Sequence, residues 1–251
     1  MNDGSGNLRH KSGEEMKPYV ICHMNASVDG RILGSRWRPA ENRMAGLFER
    51  LHEELGGGSW LIGRVTGSEY AKADCYPDHT DQTYPRQPWF APSEPKTSDA
   101  AAYGIVLDAQ GKIAWGRSDI GGDPIVAVLT ERASDAHLAG LRRDRVSYIF
   151  AGERELDLGL ALEVLNRELG VERLLLEGGG GSNGAFLRAG LIDEISLAIC
   201  PAIDGAKGAP SIFDSSDKDA GVAAPIRAMT LASTEVLEGG AVWLRYRLQN
   251  S

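Results

Sequence analysis

Short apolar runs alternate with amphipathic stretches along most of the chain. A short run of aliphatic and β-branched residues is typical of a buried strand, whereas apolar residues spaced three and four apart are typical of a helix. The runs predict strands at 19–26, 59–62, 103–107, 111–115, 125–129, 146–150, 174–176 and 191–200. The spaced residues predict helices at 41–55, 64–72, 134–143, 156–169 and 182–188. Two last runs, at 229–237 and 242–248, predict a hairpin.

The order of these elements predicts an α/β fold. Strands that alternate with helices form a mostly parallel sheet, and the closing hairpin adds antiparallel strands, so we expect a mixed sheet. We predict one domain at 18–251, with about eight or nine strands flanked by helices, since no internal repeat or linker divides the chain. Residues 1–17 lack the apolar stretch of a signal peptide and are predicted to be a disordered tail.

Composition narrows the classes of partner. Of 251 residues, 42% are hydrophobic and 25% are charged, the net charge is −8, and no long run of Lys or Arg is present, so we predict no nucleic-acid partner. No apolar run reaches the length of a membrane-spanning helix, and we predict no membrane partner. Three widely spaced cysteines argue against a disulfide framework and favour a reducing cytoplasm.

His52 and Glu54 form an H-x-E pattern, which zinc deaminases combine with P-C-x-x-C. No P-C-x-x-C follows it in this chain. We therefore interpret the pattern as an exposed part of the helix at 41–55 and predict no metal site.

The chain is organised around a glycine run that follows the apolar strand at 174–176. Glu177 ends that strand, four glycines occupy 178–181, and Ser182 and Asn183 are expected to cap the next helix. Glycine lets backbone N–H groups approach a ligand closely, and a helix start carries unpaired donors and a partial positive charge. The run is either a plain connector or a turn that binds phosphate or pyrophosphate, and we favour the second interpretation.

Gly179, Gly181 and Gly184 also match the G-x-G-x-x-G pattern of dinucleotide-binding folds. Those folds place an acidic residue at the end of the next strand, about 20 residues further on. Asp193 comes too early for this role, and Asp204 falls in a loop beyond the strand. We therefore predict a phosphate-binding turn outside an ordinary Rossmann domain.

Two other turns place polar residues directly after predicted strands. The Gly63-Arg64-Val65-Thr66 turn follows the strand at 59–62, and Arg64 is either a solvated charge or a partner of a phosphate. Asp29 follows the first strand and is either a turn residue or a group that holds a polar ligand at the sheet edge.

The longest stretch without a predicted element is 74–101, which is rich in proline and polar residues. A loop of this length is either mobile or functional. Trp89 and Phe90 would either cover a substrate or anchor the loop to the domain, and the residues alone leave both roles open.

Four motifs follow one another in an order that resembles a known family. They are N-A-S-V-D-G at 25–30, L-I-G-R-V-T at 61–66, L-L-L-E-G-G-G at 174–180 and G-L-I-D-E-I at 190–195. Together they resemble the reductase domain of bacterial riboflavin-biosynthesis deaminase/reductases, which has a dihydrofolate-reductase-like fold. The similarity runs from about residue 19 to residue 248, so the resemblance implies a stand-alone reductase or a paralogue of one.

The resemblance implies an NADPH-dependent reductase that converts the ribosyl group of 5-amino-6-(5-phosphoribosylamino)uracil, or a similar substrate, to ribityl. The glycine turn would approach the cofactor pyrophosphate, and the G-R-x-T turn would serve the phosphate-bearing adenosine half. Arg64 independently favours NADPH, since a 2′-phosphate calls for a cation. The implied cofactor-binding residues are Gly63, Arg64, Thr66, Leu129, Thr130, Glu177, Gly178, Gly179, Gly180, Gly181 and Ser182.

The resemblance also places the phosphorylated small-molecule substrate at the S-x-D-G turn. Asp29 would be the catalytic acid or a positioning group. The family commonly forms dimers, which implies a homodimer here. The implied substrate-binding residues are Asn25, Ser27, Asp29, Arg43 and Asp74, with Arg38 and Lys72 as further candidates for the substrate phosphate.

Other interpretations stay open, because the loops at 74–101 and 201–225 differ from the family pattern and both would shape the substrate pocket. The same fold suits a reductase of another carbonyl, imine or pterin. A dihydrofolate reductase needs an acidic residue of its first helix at the pterin ring, and Glu41 and Glu49 do not obviously match. A non-catalytic nucleotide-binding module is the third alternative.

Overall fold

The described strands form one mixed sheet with helices on both faces. In this computed structural model the described residues are 17–40, 44–92, 102–219 and 221–251. The strands are β1 (Tyr19–Ser27), β2 (Trp60–Gly63), β3 (Gly104–Leu107), β4 (Asp119–Ile120), β5 (Asp123–Leu129), β6 (Ser147–Phe150), β7 (Arg173–Leu176), β8 (Glu194–Cys200), β9 (Ile226–Val236) and β10 (Val242–Asn250). The helices are α1 (Leu47–Glu54), α2 (Arg64–Ser68), α3 (Asp135–Arg143), α4 (Leu158–Leu169) and α5 (Gly180–Arg188).

The first strand lies in the interior of the sheet. Across the sheet the order is β4, β5, β3, β2, β7, β1, β8, β10 and β9, and β6 also pairs with β5. The strands β6, β5, β3, β2, β7, β1 and β8 are parallel to one another, in that order across the sheet. β10 is antiparallel to β8, and β9 is antiparallel to β10. The predicted mostly parallel sheet with a C-terminal antiparallel hairpin is confirmed. The described sheet has ten strands, and the two-residue β4 was not predicted.

Helices cover both faces of the sheet. Successive residues of a strand point to opposite faces, and here the side chains on both faces are apolar and pack in two core layers. On β2, Ile62 faces the layer that contains Leu51 of α1. Leu61 faces the opposite layer, which contains Leu162 of α4 and Phe186 of α5. Burial of each such side chain stabilises the fold by about 2 kcal/mol. None of the helices in the described ranges is long and apolar enough to cross a membrane.

The first helix begins later than its apolar spacing predicts. Gly46 is its N-cap and has a φ of 73°, a left-handed conformation that favours glycine. Met44 also has a positive φ, of 53°. The helix therefore starts at Leu47, and the predicted start at 41–43 lies outside the described residues.

The predicted strand at 111–115 is wrong, although Trp115 within it is fully buried. Side chains bind the backbone donors that a neighbouring strand would otherwise pair. The Lys112 N–H donates to the Asp108 carboxylate at 2.7 Å, and the Trp115 N–H donates to the Tyr76 hydroxyl at 3.0 Å. Because these donors are satisfied locally, the segment packs as a loop.

Most other elements are confirmed with shifts at their ends. Ser134 caps α3 as predicted, by accepting a hydrogen bond from the His137 N–H. Asp157 caps α4 in the same way, so α4 begins at Leu158. The largest of the other shifts are at β8, which begins at Glu194, at α2, which ends at Ser68, and at β9, which begins at Ile226.

Of the two roles left open for Trp89, the structure shows the anchor. Its backbone N–H and C=O pair with those of Tyr148 on β6, both at 2.9 Å, and the two rings stack with centroids 5.7 Å apart. The guanidinium of Arg142 lies 4.9 Å from the Trp89 ring centroid and adds a cation–π contact. These contacts fix the described part of the loop to β6, while 93–101 lie outside the described residues.

Candidate active site

Two turns meet at the carboxyl edge of the sheet. β2 and β7 are parallel neighbours, so the turns that follow them leave the sheet on the same side. The Glu177 N–H donates to the Leu61 carbonyl at 2.8 Å, and the Gly63 N–H donates to the Gly178 carbonyl at 3.2 Å. The glycine turn and the G-R-x-T turn are therefore tied together by the backbone.

The glycine turn leads into α5 two residues earlier than predicted. Gly179, with a φ of 70°, is the N-cap, and the helix begins at Gly180. Ser182 and Asn183 consequently lie within its first turn, so the prediction that they cap the helix is wrong. The buried Asn183 donates its side-chain amide to the Ile212 carbonyl at 3.0 Å. The start of α5 still presents backbone donors at this edge.

A groove of about 680 Å³, named here the α5 groove, runs beside the start of this helix. Arg64 and Lys112 bring two cations to it, and the helix start adds a partial positive charge. Sequence reasoning missed Lys112 because it lies in the wrongly predicted strand. The remaining lining residues are Leu107, Ala109, Gln110, Leu156, Leu158, Gly181, Ser182 and Ala185.

The glycines of this region have two separate functions. A Cβ on Gly181 would have no atom within 4 Å, so this position opens into the α5 groove. A Cβ on Gly180 or Gly184 would instead overlap the backbone oxygens of Ser211 and Asp214, so these two glycines allow the 211–214 loop to pack on the helix. An open glycine, a helix start and two cations together fit the phosphates of a dinucleotide.

A second cavity, of about 250 Å³, lies between α1 and α2 and is named here the α1–α2 pocket. Its charged lining is acidic, with Glu49, Glu53 and Glu177 beside His52. None of its described lining residues is Lys or Arg. The remaining lining residues are Phe48, Trp60, Ile62, Thr66, Tyr70 and Ile120.

The two cavities approach each other at the glycine turn. Thr66 lines the α1–α2 pocket, and its Oγ1 lies 3.7 Å from the positions that Cβ atoms would take on Gly178 and Gly179. Two residues further on, Gly181 lines the α5 groove. A ligand that crosses the turn would therefore have one end in each cavity.

His52 and Glu177 form a hydrogen-bonded pair inside the α1–α2 pocket, so the interpretation of His52 as exposed is wrong. His52 Nδ1 lies 2.7 Å from Glu177 Oε1, and the side chains are only 17% and 9% exposed. The hydrogen bond to Glu177 raises the pKa of His52. Burial raises the pKa of Glu177, against the opposing effect of His52. No local signal predicts this contact, because 125 residues separate its partners.

Both carboxylate oxygens of Asp29 bind to the chain itself. Oδ1 accepts hydrogen bonds from the Ser27 hydroxyl at 2.6 Å and the Asp204 N–H at 3.1 Å, and Oδ2 accepts one from the Gly205 N–H at 2.9 Å. The Ser27 hydroxyl, helped by these amides, holds the pKa of Asp29 well below its usual range. Asp29 is therefore ionised at neutral pH and can accept hydrogen bonds, but it has no proton to donate.

Asn25 carries an unused polar atom on the α1 side of the sheet. Its Oδ1 is buried and makes no hydrogen bond within the described residues. His23, two residues earlier on the same face of β1, stacks on Phe48 of α1 with ring centroids 4.5 Å apart. A buried unpaired acceptor is unfavourable in a closed core, so we expect Asn25 to meet a ligand donor.

Leu129 and Thr130 lie behind the wall of the α5 groove. Both are fully buried, and neither lines the groove. The Thr130 hydroxyl donates to the Ala109 carbonyl at 2.6 Å, and Ala109 does line the groove. Leu129 and Thr130, which the resemblance implies as cofactor contacts, therefore lie behind the lining of the α5 groove and not in it.

Three further candidates that the structure describes are not brought together with the two cavities. Asp74 lines a separate hollow of about 270 Å³ that also contains the exposed Cys75. Arg38 and Lys72 are exposed and line neither the α5 groove nor the α1–α2 pocket. Arg43 lies outside the described residues.

Comparisons with known proteins agree with this architecture. A 2,5-diamino-6-ribosylamino-4(3H)-pyrimidinone 5′-phosphate reductase from Methanothermobacter thermautotrophicus is 41% identical over 91 residues, which are 36% of this chain and 41% of that protein. The protein of the same name from Aquifex aeolicus is 25% identical over 197 residues, covering 78% of this chain and 82% of its own. The match to the first relative thus spans less than half of its length.

Solved structures show the same fold. A pyrimidine reductase-like protein from Corynebacterium diphtheriae has a TM-score of 0.66 at 16% identity, and the match covers 93% of both chains. The riboflavin biosynthesis reductase Rib7 from Saccharomyces cerevisiae has a TM-score of 0.53 at 17% identity, over 96% of this chain and 93% of that one. The predicted dihydrofolate-reductase-like fold is confirmed.

The four sequence motifs, the mixed sheet and the paired turns after β2 and β7 lie within one continuous stretch. A family model described as the RibD C-terminal domain matches residues 18–243, which is most of the chain. The chain therefore belongs to the RibD C-terminal domain family.

Proposed function

We propose that this protein is an NADPH-dependent reductase of a phosphorylated ribosylaminopyrimidine, converting its ribosyl group to ribityl in riboflavin biosynthesis. The observation that carries this proposal is the approach of the α5 groove and the α1–α2 pocket at the glycine turn. When bound, NADPH supplies a hydride. The chain holds the dinucleotide across the turn at 178–181 and the pyrimidine between α1 and α2.

The proposed cofactor contacts follow from the charges of the α5 groove. The start of α5, with Gly181 and Ser182, would bind the pyrophosphate. Arg64 and Lys112 would bind the 2′-phosphate of the adenosine half, which distinguishes NADPH from NADH.

Arg64→Gln is expected to raise the Kd for NADPH about 10-fold, equivalent to about 1.4 kcal/mol, while leaving the Kd for NADH nearly unchanged. The reason is that the 2′-phosphate is the group that a guanidinium recognises. Fluorescence titration with both coenzymes measures the change. Arg167→Gln on α4, where the side chain is 61% exposed, is the matched control. Equal weakening of both coenzymes would contradict the assignment of Arg64.

The acidic lining of the α1–α2 pocket favours a substrate that is rich in hydrogen-bond donors. Carboxylates only accept hydrogen bonds when ionised, so Glu49 and Glu53 suit amino groups of a pyrimidine. The substrate named for the relatives carries a 2-amino group, where the uracil substrate has a carbonyl oxygen. We therefore propose the 2,5-diamino-pyrimidinone phosphate as the preferred substrate.

Loss of NADPH absorbance with each purified substrate tests this choice. We expect kcat/KM to be about 10-fold or more higher for the diaminopyrimidinone than for the uracil, since a hydrogen bond to a charged group contributes about 1.5–3 kcal/mol. A preference for the uracil would reject the role given to the carboxylates. NADPH binding without turnover of any substrate would favour the non-catalytic nucleotide-binding module.

One observation supports a second candidate, a pterin reductase. Dihydrofolate reductases need an acidic residue of the first helix at the pterin ring, and Glu49 of α1 lines the α1–α2 pocket. Dihydrofolate therefore belongs in the same assay. Turnover of dihydrofolate alone would replace the first proposal by this one.

Asp29, Asn25 and Ser27 are proposed to position the substrate from the β1 side. The ionised Asp29 suits this role better than that of an acid. Arg43 remains a proposed ligand of the substrate phosphate, and Asp74 a proposed substrate contact.

We also propose a homodimer that acts in the cytoplasm. β9 has eleven residues and is almost wholly exposed, with Met229, Leu231 and Val236 48%, 49% and 75% exposed. An outer strand of this length with exposed apolar side chains favours pairing with another chain. The three free cysteines fit a reducing compartment. Sedimentation velocity would give the mass of the assembly.

A further inference from the structure

We propose that His52, held by Glu177, donates the proton that the substrate needs in the α1–α2 pocket. This inference rests on the proposed reductase function and adds a catalytic residue to it. Neither the glycine turn nor the S-x-D-G turn offers an acid, because Asp29 is ionised, the Ser27 hydroxyl donates to Asp29, and the turn at 178–181 offers only backbone groups.

The hydrogen bond to Glu177 uses one ring nitrogen of His52 and leaves the other unbonded within the described residues. Nδ1 of the protonated ring donates to Glu177 Oε1 at 2.7 Å. No hydrogen bond within the described residues uses Nε2, and the side chain lines the α1–α2 pocket. Glu177 follows β7 directly, and its N–H is fixed to the Leu61 carbonyl. A ring that is oriented through one nitrogen and free at the other is the arrangement of a general acid.

The charges around His52 favour its protonated form. The hydrogen bond to Glu177 raises the pKa of His52, and the charges of Glu53 and Asp123 act in the same direction, against burial. These charges and the hydrogen bond therefore extend the pH range over which His52 holds its proton. The titratable groups that face the pair are Glu49 and Glu53 on α1, Asp123 on β5, Tyr70 after α2 and His23 on β1.

Reduction of a ring-opened ribosylaminopyrimidine requires a proton as well as a hydride. At the C1=N bond of the substrate, a new C–H bond forms at C1 with the hydride and its two electrons. The π electron pair moves to the nitrogen, which forms an N–H bond with the proton from His52 Nε2. The broken N–H bond leaves its electron pair on the imidazole, and the neutral ring regains a proton from water. The substrate gains two electrons, and the coenzyme loses two.

His52→Gln is expected to lower kcat for NADPH oxidation with the diaminopyrimidinone phosphate about 100-fold or more. Glutamine keeps a hydrogen-bond donor for Glu177 but cannot transfer a proton at neutral pH. The Kd for NADPH should change by less than about twofold, because the proposed phosphate contacts of the coenzyme lie in the α5 groove, which His52 does not line. The matched control is His79→Gln, whose side chain is 85% exposed and which should keep the wild-type kcat.

The pH profile separates proton donation from packing. The carboxylate raises the pKa of His52, so the proton is present at low pH and lost as the pH rises through that pKa. kcat should therefore fall on the alkaline side. Glu177→Gln removes the carboxylate, lowers the pKa of His52 and should move this fall to lower pH. A purely structural His52 would leave the profile unmoved.

Titration of the His52 ring by ¹⁵N NMR, without substrate, keeps the inference apart from the proposed function. We expect the wild-type ring to titrate above the ordinary pKa of about 6.5, and the ring in Glu177→Gln to titrate lower. If the wild type turns over no substrate, the proposed function fails, whereas these two titrations still support a proton-holding pair. Unchanged kcat in His52→Gln, or an ordinary His52 pKa in both proteins, would overturn the inference. If His52→Gln does not fold, the NMR titrations and the Glu177→Gln profile decide.

Discussion

Gly181→Asp is expected to abolish NADPH binding at ordinary coenzyme concentrations while the protein stays folded. Gly181 opens into the α5 groove, where a Cβ would have no atom within 4 Å. The new carboxylate would occupy the second position of α5, where the proposal places the pyrophosphate. Repulsion between these negative groups should raise the Kd at least about 100-fold, equivalent to about 2.7 kcal/mol.

The same substitution should slightly stabilise the fold, which makes the loss of binding interpretable. An acidic residue in the first turn of a helix contributes about 0.3–1 kcal/mol, and glycine is among the poorest helix formers. Gly181→Asn is the matched control, because asparagine is nearly the same size as aspartate but has no charge. The Kd of this variant for NADPH should rise far less. Fluorescence titration and thermal unfolding give both quantities. Wild-type affinity in Gly181→Asp would mean that the pyrophosphate binds elsewhere.

Gly184→Ala is expected to lower the free energy of unfolding by about 2 kcal/mol or more. A Cβ at this position would overlap the carbonyl oxygen of Asp214, a backbone atom that cannot move alone. The Asp214 N–H donates to the Gly180 carbonyl at 2.9 Å, and Arg188 Nη1 donates to the Asp214 carbonyl at 3.0 Å. The clash would therefore displace the 211–214 loop from α5 and outweigh the gain of about 1 kcal/mol that alanine brings to a helix.

Urea unfolding measures this change, with Gly181→Ala as the control. Gly181 lies on the same helix but faces open space, so alanine there should raise the free energy of unfolding by up to about 1 kcal/mol. Opposite signs for two identical substitutions, three residues apart, test the packing directly. A stabilised Gly184→Ala would show that the 211–214 loop does not press on the helix.

Patterns that are local in sequence predict most of the fold. The apolar run of β5 and the spacing of α4 identify a buried strand and an amphipathic helix, and Ser134 marks the start of α3. The segment 111–115 fails because an apolar run shows that residues are buried, not what their backbone binds. There Asp108 and Tyr76 take the place of a partner strand.

The candidate site also has parts that local sequence patterns predict and parts that they do not. The glycine turn and the G-R-x-T turn could be predicted, since each is a strand, a turn and a helix start within a few residues. The His52–Glu177 pair could not, because α1 and the end of β7 meet only through the tertiary fold. The different roles of Gly181 and Gly184 could not be predicted either. They differ because Asp214 packs against Gly184 only in the folded structure.

The interior position of β1 has a consequence for how the protein is made. β1 pairs with β7 on one side and with β8 on the other, so both of its partners lie more than 140 residues later in the chain. While the ribosome synthesises the intervening residues, the nascent chain carries a strand with two unpaired edges, which is prone to aggregation. Such long-range parallel pairing is also slow to form. We therefore expect folding to finish only after Cys200 has left the ribosome, and chaperones to bind this nascent chain for most of its synthesis.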